Sequence, residues 1–422
     1  MNELKKIQNV ELKGKTVLIR VDHNVVKKGR IIDPYRIDAS LPTISYIIEQ
    51  GAKLVLMSHI GRPKDKKTGK IELADNTSAA PIVEYLKAKG VRIEAAVIPA
   101  AGEYGIEHLD VQKITSSLNN ADLDAVYLPN TRWFKGEEAK DENKEIFGKE
   151  LSMLADIFVN DAFGSWQPHA STIIPAQLLP AYAGLLMQKE VEHLDAVLNP
   201  RRPFVAIVAG SKFDTKIEPL SALLQSADHL ILGGVIYNAY LCARYGVQIE
   251  GVSEQDRQSA QKFVQLAEKY PGKVIEPRFI IESDSLEGRF EGKFRTLDIS
   301  TLTKGDKLNY ILDVAKASFQ EKRVQQIFSG AGTFFINAVM GLTPHFTEGT
   351  IALDKQIAAN QEAVKLFGGG DTLQEFNTLL PEFYQQALLD NSYYFFTGGG
   401  TILKAISEGS AWGLEPVKAL ML

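Results

Sequence analysis

A single cysteine, Cys242, in 422 residues rules out an internal disulfide and fits a reducing compartment. No apolar run approaches the roughly 20 residues that a membrane-spanning helix needs, and the longest, such as Phe204–Val208, are strand-sized. No apolar segment follows Met1–Lys6, so a signal peptide is not expected, and Leu420-Met421-Leu422 carries no lipidation or sorting signal. Neither sign of charge dominates, with 47 Lys+Arg against 52 Asp+Glu and a net charge of −5, which argues against nucleic acid as the partner. G-x-x-x-x-G-K-[ST], a G-x-G-x-x-G after the first strand and G-x-S-x-G are all missing, so Walker-type, dinucleotide and α/β-hydrolase sites are not indicated. His59 and His169 lack the neighbouring ligands of a zinc site. With 45 % hydrophobic and 23 % charged residues, what remains is an ordinary globular chain long enough for two or three domains.

The chain alternates short apolar runs with helical segments. Strands are expected at 16–21, 53–57, 125–128, 157–159, 204–208, 229–232, 326–328, 363–367 and 393–396. Helices are expected at 41–50, 80–89, 143–154, 253–269, 307–319 and 373–389. This predicts an α/β fold of two doubly wound parallel-sheet, Rossmann-like domains. Apolar residues at helical spacing across 185–198, ended by Asn199-Pro200, predict a joining helix. The expected boundaries are 1–184, a connection at 185–203, 204–404, and a tail at 405–422.

The unusual residues fall just after the strands, where open α/β sheets bind ligands. In the first half they are polar or basic: Arg20, Asp22, Asn24, Arg36, His59, Arg62, Arg132 and His169. Any one arginine reads as a solvated surface charge, but a cluster on one edge suits a small, highly anionic ligand. In the second half they are glycines: Gly210-Ser211-Lys212 with Lys216, Gly233-Gly234, Gly330, Gly368-Gly369-Gly370-Asp371-Thr372 and Gly398-Gly399-Gly400. One such turn is ordinary loop punctuation. Several, with lysines and Asp371 at their ends, suit nucleotide phosphates with Mg²⁺ on Asp371.

Arg20-Val21-Asp22-His23-Asn24-Val25, Ser58-His59-Ile60-Gly61-Arg62-Pro63, Asn130-Thr131-Arg132 with Gly136-Glu137-Glu138, Asn160-Asp161-Ala162-Phe163-Gly164 and His169-Ala170-Ser171 together resemble the phosphoglycerate kinase family. Arg202–Ile207, Gly210-Ser211-Lys212, Lys216-Ile217, Gly368–Asp371, Thr397–Gly400 and the closing Gly413–Val417 extend the resemblance over nearly the whole chain. It implies reversible phosphoryl transfer between 1,3-bisphosphoglycerate and ADP, giving 3-phosphoglycerate and ATP with Mg²⁺. It also implies a cleft closing by a hinge and a tail returning to the first domain. By resemblance, Arg36, Lys212, Lys216, Gly399 and Gly400 neutralise the moving phosphoryl group. Arg20, Asp22, Asn24, Arg36, His59, Arg62, Arg132 and His169 hold the acid. Gly210, Ser211, Lys212, Lys216, Gly233, Gly234, Gly330, Gly368, Gly369, Gly370, Asp371 and Thr372 hold the nucleotide, with Asp371 on the metal. A cytoplasmic monomer with small-molecule partners, and neither nucleic acid nor membrane, is expected.

The sequence departs from the family pattern in places. Ser165-Trp166-Gln167-Pro168 replaces a loop that usually carries arginine, a contact worth about 1.5–3 kcal/mol. W-N-G-P…V-F-E is matched to the stretch Phe328–Phe335, without its ribose-holding glutamate. L-D-I-G becomes Leu297-Asp298-Ile299-Ser300, the third glycine of G-G-G becomes Val235, and His23 replaces phenylalanine. These changes leave open a non-catalytic binding homologue, or a kinase for another carboxylic acid.

Overall fold

The computed structural model describes residues 3–421. The chain divides into two compact units, 1–192 with 411–422, and 193–410, so the division falls inside the helix Leu185–Leu198. In the first unit β1 (Thr16–Arg20), β2 (Lys53–Met57), β3 (Ile93–Ala95), β4 (Ala125–Tyr127), β5 (Ile157–Asn160) and β6 (Ala181–Ala183) form one sheet in the order β6-β5-β1-β2-β4-β3. Every pairing is parallel. β1 and β2 are buried along four of their five residues, because helices cover both faces of a parallel sheet, and so their sequences read as continuous apolar runs. Within this unit the closing segment pairs with the opening one: Lys5 N–H donates to the Leu420 carbonyl at 2.8 Å, and Leu4 bridges Met421.

The second unit contains β7 (Phe204–Gly210), β8 (His229–Gly233), β9 (Val274–Ile275), β10 (Phe279–Ser283), β11 (Phe294–Asp298), β12 (Tyr310–Val314), β13 (Thr333–Asn337), β14 (Val364–Gly368) and β15 (Tyr393–Phe396). Six of these make a parallel sheet in the order β9-β8-β7-β13-β14-β15. β11-β10-β12 form a small antiparallel sheet. Both halves are therefore doubly wound α/β sheets, as the alternation of runs predicts. In each the chain reverses its direction of travel across the sheet beside one central strand, β1 or β7. The carboxyl ends at these points are where such sheets open a crevice.

Three elements differ from expectation. Residues 326–328 belong to the helix Lys322–Gly330, where Val324 and Phe328 are buried at i,i+4 spacing. The neighbouring strand is Thr333–Asn337 instead. Residues 307–319 satisfy a helical period, yet Tyr310–Val314 is a strand paired with β10. Short apolar runs carry both periods, and pairing decides. The helix expected at 373–389 is two helices, Gly370–Leu379 and Pro381–Ala387, since Pro381 cannot donate into the first.

Candidate active site: a basic edge and a glycine edge

In the first unit Arg20 ends β1, fully buried, and each of its three nitrogens has a partner inside the protein. Nε donates to Ser171 Oγ at 2.9 Å, one terminal nitrogen to the Val21 carbonyl at 2.5 Å, and the other meets His59 Nδ1 at 3.0 Å. Arg20, expected among the acid-binding residues, is therefore placed by the fold behind His59, without an exposed face of its own. It orients His59 instead. Since guanidinium only donates, His59 Nδ1 accepts, and the ring proton sits on Nε2. Burial and the surrounding Arg20, Arg132 and Arg36 hold the His59 pKa well below its ordinary value, so the ring is a neutral N–H donor.

Arg36 lies in the first turn of the helix Tyr35–Glu49 and pairs with Asp22 Oδ2 at 3.3 Å. Asp22 is 5 % exposed, and its Oδ1 is buried without a hydrogen-bond partner. Such an acceptor waits for a donor, as a ligand hydroxyl would supply. Asn24 Oδ1 accepts from Gly61 N–H at 2.8 Å, and Arg132 donates to the Gly61 carbonyl at 2.6 Å. The loop carrying exposed Arg62 is thereby tied to both. Arg132 also pairs with Glu138 at 2.8 Å, and His169 caps the helix Ala170–Leu178 with its Nε2 3.9 Å from the same carboxylate. Burial lowers the His169 pKa against the opposing pull of Glu137 and Glu138. In the altered loop, exposed Gln167 bonds His169 Nε2 at 2.9 Å and brings no charge.

Glu137 escaped the sequence reading. It is 1 % exposed, accepts from Thr131 Oγ1 at 2.9 Å and from Ser171 Oγ at 2.7 Å and N–H at 3.0 Å, and lies 4.0 Å from Arg20. Its signal was only its place in Gly136-Glu137-Glu138. His23, where the resemblance expects phenylalanine, is buried between Tyr127 OH at 3.0 Å and Ser40 Oγ at 2.8 Å. Burial pushes its pKa down to about 3, so it is neutral.

In the second unit the crevice lies between β7 and β13. Lys216 reaches back to it, donating to the Ala209 carbonyl at 2.6 Å and to Asn337 Oδ1 at 2.8 Å. Desolvation pushes its pKa down to about 8, against the attraction of Asp371. Asn337 in turn donates to the Gly368 carbonyl at 2.5 Å, holding the turn that begins the helix Gly370–Leu379. The helix Gly399–Glu408 starts alongside. A Cβ on Gly399 would run into the backbone of Gly369, whose φ is +114°, so both turns need glycine to approach this closely. The first intrahelical bonds are made by Leu373 and Ile402, leaving the N–H groups of Gly370, Asp371, Thr372, Gly399 and Gly400 without helical acceptors. Gly400 and Asp371 are exposed, and Thr372 is 7 % exposed. Two dipole ends and an ammonium form an anion cradle.

A cavity of about 740 Å³ adjoins it, lined by Gly210, Ser211, Gly234 and Asp371, with Tyr310, Leu312 and Met340 as apolar walls. Gly233 ends β8 beneath Met340, and Lys212 is exposed next to Ser211. Gly330 is elsewhere. It ends a helix just before the amino-terminal end of β13, whereas the glycine turns follow the carboxyl ends of their strands, so the fold does not bring it together with them. Asn337, which the sequence reading did not single out, ends β13 as Asn160 ends β5. Leu297–Ser300 likewise runs from the edge strand β11 into a short turn, where exposed Arg278 pairs with Asp298. Of a second Leu-Asp, Leu312-Asp313, Leu312 lines the cavity.

A family model described as phosphoglycerate kinase matches residues 7–409. The chain belongs to the phosphoglycerate kinase family. A phosphoglycerate kinase of Thermus thermophilus is 33 % identical over 419 residues, 98 % of this chain and 99 % of the relative. The phosphoglycerate kinase structure from Coxiella burnetii has a TM-score of 0.72 at 31 % identity, covering 99 % of both chains. That from Pyrococcus horikoshii OT3, at 23 % identity and a TM-score of 0.77 over 99 % of this chain and 98 % of the other, shares the fold. Membership in the phosphoglycerate kinase family makes the chain a kinase with a carboxyl group as acceptor.

Proposed function

We propose that the basic edge holds 3-phosphoglycerate, the glycine edge holds ATP, and the phosphoryl group passes reversibly between them to give 1,3-bisphosphoglycerate and ADP. The observation that carries this reading is the pair of helix N-termini at Gly370 and Gly399 gathered around Lys216. The nucleophile is a carboxylate, ionised at neutral pH, so no general base is needed. The protein's work is to position and to neutralise. Asp22 Oδ1 and the His59 Nε2–H meet the glycerate. Asn24, Arg62, Arg132 and His169 orient it and its far phosphate. Arg36, Lys212, Lys216 and the N–H groups of Gly399 and Gly400 face the phosphoryl group in flight, whose charge is spread over its oxygens. Gly210, Ser211, Gly233, Gly234 and Gly368–Thr372 surround the nucleotide.

Mg²⁺ fits Asp371, a single exposed carboxylate at the phosphate cradle, because this ion keeps its waters and takes one or two carboxylates with phosphates. When bound, it offsets phosphate charge. Transfer in line requires the acid and the nucleotide to be brought together with water excluded, which a closing motion would achieve. The reading carries with it a cytoplasmic, monomeric enzyme of glycolysis. Among the described residues no helix is long and apolar enough to cross a membrane.

A coupled assay with 3-phosphoglycerate, Mg²⁺ and either ATP or GTP tests it, with turnover expected at about 1–100 s⁻¹ or above. Absence of turnover with both nucleotides, in folded protein, would overturn the kinase reading for this acid. Because Gln167 brings no charge to its loop, other phosphorylated and unphosphorylated acids belong in the same assay. Turnover with one of those alone would move the substrate and leave the chemistry. Lys212→Ala should lower kcat with little change in nucleotide affinity, since its charge matters most in the transition state.

A further inference from the structure

One group in the cavity is not used by the reaction just described. Glu375 lies one turn beyond Asp371 on the helix Gly370–Leu379 and lines the cavity with Gln374 and Thr378. It is 6 % exposed, and its Oε1 is buried without a hydrogen-bond partner. Burial pushes its pKa up, against the Thr343 and Thr350 hydroxyls that hold it down. Buried carboxyl oxygens are rarely left without a donor, so a ligand that supplies one would complete the site.

Position along the helix says which part of a ligand that is. Phosphates belong at the free N–H groups of Gly370 to Thr372. Four residues at about 1.5 Å each put Glu375 roughly 6 Å beyond Asp371 along the axis, the step from a nucleotide's phosphates to its sugar. The apolar walls Tyr310, Leu312 and Met340 remain for the base. We propose that the Glu375 carboxylate accepts hydrogen bonds from the vicinal hydroxyls of the ribose, making the site selective for ribonucleotides over their deoxy counterparts. This rests on reading the cavity as the nucleotide site. A second Mg²⁺ is a poorer occupant, because that ion keeps several waters and Glu375 is almost wholly desolvated. Among the described residues no group of three or more His, Cys, Asp or Glu is placed to hold a metal.

The test is calorimetric titration of the full chain with ADP, 2′-deoxyADP and 3′-deoxyADP, with and without Mg²⁺, for the parent, Glu375→Gln and Glu375→Ala. The parent should bind ADP about tenfold tighter than either deoxy analogue, as expected of a buried acceptor that loses its donor. The preference should shrink to within about twofold in Glu375→Ala and to an intermediate value in Glu375→Gln, which keeps one acceptor oxygen. Glu375→Gln preserves volume and decides the matter if the alanine variant does not fold. A parent without preference, or a preference unchanged in the variants, overturns the assignment. So does an effect confined to titrations containing Mg²⁺, which would make Glu375 a metal ligand. Turnover with ATP alongside an unchanged preference sinks the ribose contact alone, whereas folded parent that binds no ADP sinks the nucleotide reading with it.

Discussion

The two edges solve anion binding by opposite means. The basic edge uses side chains, and three of its arginines come with partners: Arg20 with Glu137, Arg36 with Asp22, Arg132 with Glu138. Those carboxylates fix the guanidinium forks before a ligand arrives and lower the cost of desolvating them. The glycine edge uses backbone, with the starts of two helices brought together and one half-buried ammonium beside them. The first design tolerates changes of shape but depends on charge balance. The second carries little net charge and depends on the absence of side chains. Each can therefore be broken by a substitution the other would survive.

The largest expected effect comes from steric closeness at the glycine edge. Gly399→Ala drives a methyl group into the Gly369 backbone and against Asn337 Nδ2, so both turns must move. Misplacing preorganised N–H donors should lower kcat/KM by about a hundredfold or more. Gly330→Ala is the control, since nothing lies within 4 Å of a Cβ there, and its kinetics should match the parent. Equal kinetics for the two variants would show that close approach at Gly399 does not serve catalysis.

Charge balance at the basic edge is tested by Glu137→Ala. The change strands Arg20 in a fully buried position and removes the acceptor for Thr131 and Ser171. Loss of one partner of a buried pair should cost about 3–5 kcal/mol in urea unfolding. The acid's KM should rise, because Arg20 no longer holds His59. Glu137→Gln keeps part of the hydrogen bonding and should recover part of both. An unchanged unfolding midpoint in Glu137→Ala would mean that Arg20 is stabilised by other groups.

How much of each edge could be read in advance obeys the same division. Polar and charged residues after strands announce themselves, and Asp22, Asn24, His59, Arg132 and His169 all lie in the first unit. What sequence could not show was that Arg20 faces inward, because a buried and a ligand-facing arginine have the same letter and the same strand-end position. Glycine is less informative. Gly369 and Gly399 are required by contact, while Gly330 is a helix end that resembles them only in composition. The strand Thr333–Asn337 was overlooked because Phe328, four residues after Val324, reads equally well as strand or helix, and placing the strand there hid Asn337. Glu375 was illegible for a different reason. Mid-helix glutamates are common on solvated faces, and only the packing around this one shows that it is buried beside a cavity.

The smallest effect concerns a charge at the glycine edge that is held close to its titration point. Lys216 is held by two neutral acceptors, and in the free protein its pKa is down at about 8. Its ammonium is therefore lost as pH rises through about 8, and with it the attraction for phosphate. A bound nucleotide favours the charged form and pulls the pKa back up. The two kinetic constants should then separate, since kcat/KM reports the free enzyme and kcat the complex. We expect kcat/KM for ATP to fall about tenfold per unit above pH 8, while kcat stays flat to a higher pH. Lys216→Arg, which cannot deprotonate in this range, should flatten that alkaline limb whatever it does to the absolute rate. A limb that persists in Lys216→Arg would assign the titration to another group. Parallel falls in kcat and kcat/KM would show that the nucleotide does not restore the charge, and the ammonium would then lie outside the reach of its phosphates.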